Sequence, residues 1–204
     1  MPRTDEPVRL LRIAGISFGI IGVLLFGFLG IGLLLSSQWE AERSGWIRAE
    51  PAQVWDHISS AEAWERWTPS PETATEYFGP GSGEGSGRRW DDPGYGEGSF
   101  VITEVDRDRL VRYEVEVESG SIRISGEMRL EVEDGGTRIH WREAGDFGRN
   151  PILGYLAPRM EELQGGQLEA SLETLRILVE EGREIDQAPS ADDTVGAADA
   201  AEQG

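Results

Sequence analysis

Few residues in this chain could carry chemistry, and their identities narrow the field at once. Cysteine is absent, which excludes a disulfide framework, a thiolate zinc site, an iron–sulfur cluster and a cysteine nucleophile. Every one of the 19 basic residues is an arginine. Without lysine there is no Schiff-base chemistry and no P-loop lysine. The two histidines, His57 and His140, have no HExxH spacing. His57 sits among polar neighbours and His140 at an outward strand position, so neither a metal site nor a catalytic imidazole is expected, and no cofactor is implied.

What remains is a carboxylate and a phenol. Glu143 continues the inward register of Ile139 and Trp141, where an unpaired carboxylate is costly to bury. Two readings stay open: Glu143 is a pocket acid, base or ligand anchor, or it is solvated where the strand frays at Ala144-Gly145. Tyr113 is the other polar group at an inward position, and it reads as a pocket group or as a core tyrosine with a satisfied hydroxyl. The run GPGSGEGSG (79–87) lacks both GxGxxG spacing and a GK[ST] ending. It reads as a flexible hairpin connection at a pocket mouth.

The elements that position these residues follow from periodicity. A short strand over Ser44–Ala49 precedes a helix opened by Pro51, a first-turn position that proline tolerates. A second short helix over Ala61–Trp67 stops before Pro69. Alternation of apolar and charged residues then marks antiparallel strands over 111–117, 122–132 and 139–143, joined at Ser119-Gly120 and Asp134-Gly135-Gly136. After Pro158, Met160, Leu163, Gln167, Leu168, Leu172, Leu175 and Leu178 recur at three and four, an amphipathic helix of about 20 residues.

Ahead of this domain, Ile13 to Leu35 is a run of 23 residues without a charge. As a helix it reaches about 35 Å, enough to cross a hydrocarbon core of about 30 Å. A cleavable signal peptide usually has a shorter apolar region and a small-x-small site, which does not follow cleanly here. Arg3, Arg9 and Arg12 precede the span, so the positive-inside rule places the N-terminus in the cytoplasm and the domain outside, on a single-pass protein of the cell membrane. Trp39 and Trp46, just past the span, are expected at the bilayer interface. Gly15, Gly19 and Gly22 share one helix face, a spacing that permits a homodimer through this helix.

Charge closes off one class of partner. The chain holds 38 acidic against 19 basic groups, a formal net charge of −19. Such a surface repels phosphate backbones, so no nucleic acid is expected to bind. The expected organisation is a stub (1–12), a transmembrane helix (13–35), a juxtamembrane linker (36–45), one domain (46–182) and a disordered acidic tail (183–204).

In order and spacing the domain resembles the SRPBCC superfamily, the START-related and polyketide cyclase/dehydrase-like group that includes the birch-pollen-allergen fold. Four stretches carry the resemblance: PAQVWDHISSAEAWERWTPSP (51–71), GEGSFVITEVDRDRLVRYEVEV (96–117), GGTRIHWREAGDFGRNP (135–151) and MEELQGGQLEASLETLR (160–176). It implies an α+β helix-grip fold, in which a curved antiparallel sheet wraps a long C-terminal helix and two short helices follow the first strand. It further implies a cavity between sheet and helix for a lipid or other hydrophobic small molecule. Tyr113, Met128, Trp141, Glu143 and Leu168 are the expected lining. Gly165-Gly166 inside the long helix is read as a close approach to the sheet or to a ligand. Binding or carriage is the first functional expectation. A cyclase- or dehydratase-like enzyme using Glu143, and a protein-interaction module of the co-chaperone type, are the alternatives.

Overall fold

The computed structural model describes residues 6–94 and 96–187, with side chains from 15 to 94 and 96 to 182. Residues 1–5 of the expected stub and 188–204 of the expected tail lie outside the described residues.

The first helix, α1, runs Glu6–Leu34. Within it Gly15–Leu34 has a mean hydropathy of 2.4 with 6% of it buried, so it is long and apolar enough to cross a membrane. A Cβ added at Gly15, Gly19 or Gly22 would meet nothing within 4 Å.

Strand β1 (Gln38–Ile47) follows almost at once. The segment expected as a linker is therefore largely strand, and the domain starts near residue 38 rather than 46. The reason lies in the pairing: β1 lies antiparallel along the whole of the last strand, from Gln38 opposite Asp146 to Ile47 opposite Thr137. This register turns Trp39 and Ala41 into the core, at 6% and 1% exposure. Trp39 is thus a core residue and not an interface anchor. Trp46, half-buried, donates its indole N–H to the Glu133 carbonyl at 3.0 Å.

Helices α2 (Pro51–Ile58) and α3 (Ala61–Trp64) come next. Then follow β2 (Glu76–Phe78), β3 (Gly87–Asp92), β4 (Gly96–Asp106), β5 (Leu110–Val117), β6 (Ile122–Glu133) and β7 (Gly136–Asp146). They form one sheet in the order β1-β7-β6-β5-β4-β3-β2, with every pairing antiparallel. After two 3-10 turns, Leu153–Tyr155 and Ala157–Arg159, the long helix α4 runs Met160–Gln187. It reaches into the segment expected as disordered tail. The helix-grip arrangement of the sequence reading is present.

Leu168, Leu172, Leu175 and Val179 of α4 are buried against the sheet, whereas Leu163 is 56% exposed. Val132, placed inward by alternation, is 76% exposed. It lies opposite Thr137 at the end of the β6–β7 hairpin.

The glycine run does not form a mouth. Gly85 N–H donates to the Ile102 carbonyl at 2.8 Å and Gly83 N–H to the Ser59 carbonyl at 2.7 Å. Ser86 Oγ accepts from the Ala61 amide at 3.1 Å. The loop is thereby tacked under the α2–α3 junction.

Candidate functional site

Between the inner face of the sheet and α4 lies a cavity of about 340 Å³. Its floor is the middle of β4 to β7, which contribute Phe100, Tyr113, Val115, Ile124, Trp141 and Glu143. Trp64 and Pro69 close one side, and α4 supplies Gln164, Gln167, Leu168 and Ser171. These four recur at helical spacing, so one face of α4 meets the cavity. Of the expected lining residues, Tyr113, Trp141, Glu143 and Leu168 are here. Met128 is not: it is fully buried, between Val111 and Trp141 in the sheet register.

Glu143 is 6% exposed, so the frayed, solvated alternative does not hold. Pairing of β1 along β7 carries the ladder past Glu143 to Asp146, which keeps the strand end regular. The Tyr113 hydroxyl donates to Glu143 Oε1, and Gln164 Nε2 donates to Oε2 at 2.6 Å. Tyr113 in turn accepts from Trp141 Nε1 at 2.7 Å. Both carboxyl oxygens are thus engaged from two sides, one donor on the sheet and one on α4. Burial pushes the Glu143 carboxyl above its ordinary value, against these donors, which pull it down. Burial, the nearby Glu143 charge and their hydrogen bond raise the Tyr113 phenol well above its usual value.

Aromatic packing holds the phenol in place. The Tyr113 ring stands 4.7 Å from Trp64 and 5.1 Å from Phe100, centroid to centroid. Trp64 is anchored by its indole N–H to the Ile58 carbonyl at 2.7 Å, and Trp67 stands 5.4 Å from Trp141. The end of α3 and the turn after it thus bring two indoles, Trp64 and Trp67, to the sheet, and the end of α2 anchors both through the Ile58 and His57 carbonyls. Gly126 completes the arrangement. It pairs with Tyr113 on one side and Glu143 on the other, and a Cβ there would fall inside the Tyr113 ring. The same device, a strand aromatic over its cross-strand glycine, recurs at Trp39–Gly145, Phe78–Gly87 and Trp90–Gly98.

Arg88 was missed by the sequence reading. It lines the cavity at 6% exposure, with its guanidinium 3.4 Å from Glu65 and 5.5 Å from the Phe100 ring centre. Burial alone would raise Glu65, yet hydrogen bonds from Tyr77 and Thr75 and the Arg88 cation take it below its usual value. The available signal was an inward arginine in the β3 run GRRWDD, which the glycine run next to it obscured.

A larger hollow of about 750 Å³ lies elsewhere on the sheet, among Glu40, Glu114, Glu116, Arg123 and Asp146. These charged groups are all exposed, so no desolvated group marks it as a site. His57 and His140 line neither space. Among the described residues no cluster of histidine and carboxylate side chains could hold a metal ion.

The arrangement offers a ligand apolar walls, a buried carboxyl with two donors, and an arginine beside an aromatic ring. Comparison with known proteins agrees with the architecture. The family model described as "Polyketide cyclase / dehydrase and lipid transport" matches residues 38–180. A norcoclaurine synthase point mutant from Thalictrum, solved with a transition-state analogue, is similar in fold at 17% identity and a TM-score of 0.56. The match covers 72% of this chain and 98% of that one. A protein from Thermus thermophilus is similar at 19% identity and a TM-score of 0.54, covering 70% and 98%. An uncharacterised protein from Rhizobium leguminosarum matches at 18% identity and a TM-score of 0.53, covering 72% and 97%. No curated protein matches the chain.

Proposed function

This chain belongs to the polyketide cyclase/dehydrase and lipid transport family, and on that premise we propose that it binds or carries a hydrophobic small molecule or lipid while tethered to a membrane by residues 13–35. The carrying observation is the cavity itself. About 340 Å³ of space stays open between sheet and α4, within the usual ligand-site range of about 300–1,000 Å³. Its walls are mostly aromatic and aliphatic, and its one buried carboxyl is held by Tyr113 and Gln164. Such a site favours an apolar body carrying one polar group that exchanges hydrogen bonds with Glu143 or Gln164. Arg3, Arg9 and Arg12 support a cytoplasmic N-terminus and a domain on the far side of the cell membrane.

Binding of an apolar fluorescent dye tests the reading. The wild-type protein in detergent should take up the dye, and Leu168→Trp should block uptake by placing an indole in the cavity. The variant should stay folded, at less than the about 1–3 kcal/mol that overpacking costs in a filled core. No dye uptake by the wild type, with strong destabilisation of Leu168→Trp, would overturn the proposal.

A second reading has one observation in its favour. A carboxyl raised by burial and hydrogen-bonded to a phenol is what a general acid or base requires, so Glu143 would serve a cyclase- or dehydratase-like reaction. In that case Glu143→Gln abolishes turnover of a polyketide-type substrate and leaves dye binding intact.

A further inference from the structure

Residues 151–158, PILGYLAP, are eight uncharged residues bracketed by Arg149 and Arg159. They connect the sheet to α4 and contain the first 3-10 turn and most of the second, which ends on Arg159. In the structure this segment does not simply cross the domain surface; it docks on the last two turns of α1. The Tyr155 ring stacks on Phe28 at 4.5 Å, 4° from parallel, and its hydroxyl donates to the Phe28 carbonyl at 2.7 Å. Gly32 faces the Pro151 carbonyl so closely that a side chain there would overlap it, and a Cβ on Gly154 would lie 2.6 Å from the Gly32 carbonyl oxygen. Two glycines thus bring the segment's backbone against that of α1, as small residues do between membrane helices.

From these contacts we infer that residues 151–158 form a second membrane-contacting element, sunk beside α1 into the leaflet nearest the domain. The inference rests on reading α1 as a span, and depth then follows from helix geometry. Phe28 lies six residues before Leu34, about 9 Å along the axis. The apolar run exceeds the hydrocarbon thickness by only about 5 Å, or about three residues. Even if all of that slack lies on the domain side, Phe28 stays several ångströms inside the apolar layer. Tyr155 must share that depth.

Two further observations fit immersion in lipid rather than in water. Backbone amides entering lipid need protein partners, and five in a row, Ile152 to Leu156, find them in the segment or in Asn150 just before it. The Asn150 side-chain oxygen accepts from the Ile152 and Leu153 amides at 3.0 and 3.3 Å. Gly154, Tyr155 and Leu156 donate to the carbonyls of Asn150, Ile152 and Leu153 at 3.2, 3.2 and 2.9 Å. Meanwhile Ile152 is 62% exposed, an apolar side chain left for acyl chains to cover. Arg149 and Arg159, both exposed, stand at either end of the segment, as basic groups do at anionic headgroups.

The absence of cysteine makes the test direct, since single labelling sites can be introduced into the full chain. Ile152→Cys, Leu24→Cys and Val132→Cys would each carry an environment-sensitive fluorophore in phosphatidylcholine–phosphatidylglycerol vesicles. Lipids spin-labelled near the headgroup or deep in the acyl chain then report depth by quenching. The label at 152 should be quenched several times more strongly by the shallow quencher than the label at 132, which lies at the opposite end of the sheet. The label at 24 should respond to the deep quencher. Quenching at 24 with none at 152 overturns this inference and leaves the span intact. No quenching at 24 removes the span, and the inference with it.

Discussion

Tyr113 reaches Glu143 by lying across Gly126, the residue that stands between them in the cross-strand row of the sheet. Neighbouring strands are about 4.8 Å apart, so a side chain two strands away is out of reach unless the strand between carries no Cβ. The glycine is therefore what makes the carboxyl–phenol contact sterically available.

Gly126→Ala should displace the Tyr113 ring and break its bond to Glu143, at a cost of about 1–3 kcal/mol from overpacking. Chemical denaturation measures it. In the double variant with Tyr113→Leu the cost of the alanine should shrink, because the ring it collides with is gone. Equal costs in both backgrounds would show that the glycine serves something other than this contact.

The Glu143 carboxyl gives a distinctive pH signature. Its folded pKa is raised above the usual 4.5, chiefly by burial, so the folded protein holds the proton more tightly than the unfolded chain. Below 4.5 both states are protonated and the contribution is fully present; as pH rises through the folded pKa it is lost. Glu40, Glu65, Glu127, Asp146 and Glu173 are lowered instead. Their contribution is lost as pH falls, which masks the Glu143 effect in the wild type alone. The stability of wild type minus Glu143→Gln isolates it. That difference should decline as pH rises from 4.5 and then level off; a flat difference would mean the carboxyl titrates alike in both states.

The apolar alternation of β5 to β7 and the stripe of α4 were legible because each has one wet and one dry face. Gly126 was legible only as a gap, the one inward position of β6 without a side chain between Ile124 and Met128. A glycine in a strand records the bulk of its neighbour, and the neighbour is set by register, which one strand's sequence does not reveal. Glu143 was placed inward by alternation, but its burial depended on β1 pairing past it. β1 is hard to read over Gln38–Arg43 because its alternation, Trp39 and Ala41 inward against Glu40 and Glu42, has the same composition as a charged juxtamembrane linker with an interfacial indole. The glycine run 79–87 misled for a related reason: composition marked it as loose, whereas its hydrogen bonds to Ser59 and Ile102 arise only from the tertiary fold.

Orientation is tested by a reporter. With Arg3, Arg9 and Arg12 on the cytoplasmic side, alkaline phosphatase fused after Gly204 should be active, because that enzyme matures only outside the cytoplasm. Reversal of Arg9 and Arg12 to glutamate should lower that activity by weakening the positive-inside bias. Activity from a cytoplasmic reporter alone would place the domain inside.

The paired glycines of α4 should respond differently to the same change. Glycine inside a helix costs about 1 kcal/mol relative to alanine. At Gly166 a Cβ would meet nothing within 4 Å, and the residue is exposed. Gly166→Ala should therefore stabilise the domain by about 0.5–1 kcal/mol, seen as a raised midpoint in denaturant. Gly165 is buried under the Arg43 guanidinium, which reaches Glu161 at 3.2 Å. Its neighbour is the flexible end of a side chain, so Gly165→Ala can be accommodated by moving Arg43 and loosening that ion pair, a partly exposed one worth about 0–1 kcal/mol. The two terms oppose each other, and the net change at 165 should be close to zero. Of the two, Gly165 is thus a close approach to the sheet, through Arg43 of β1, and neither glycine lines the cavity, which α4 meets through Gln164, Gln167, Leu168 and Ser171. Dye binding should be unchanged in both variants, and loss of binding in Gly165→Ala would show that this glycine approaches the ligand as well as the sheet.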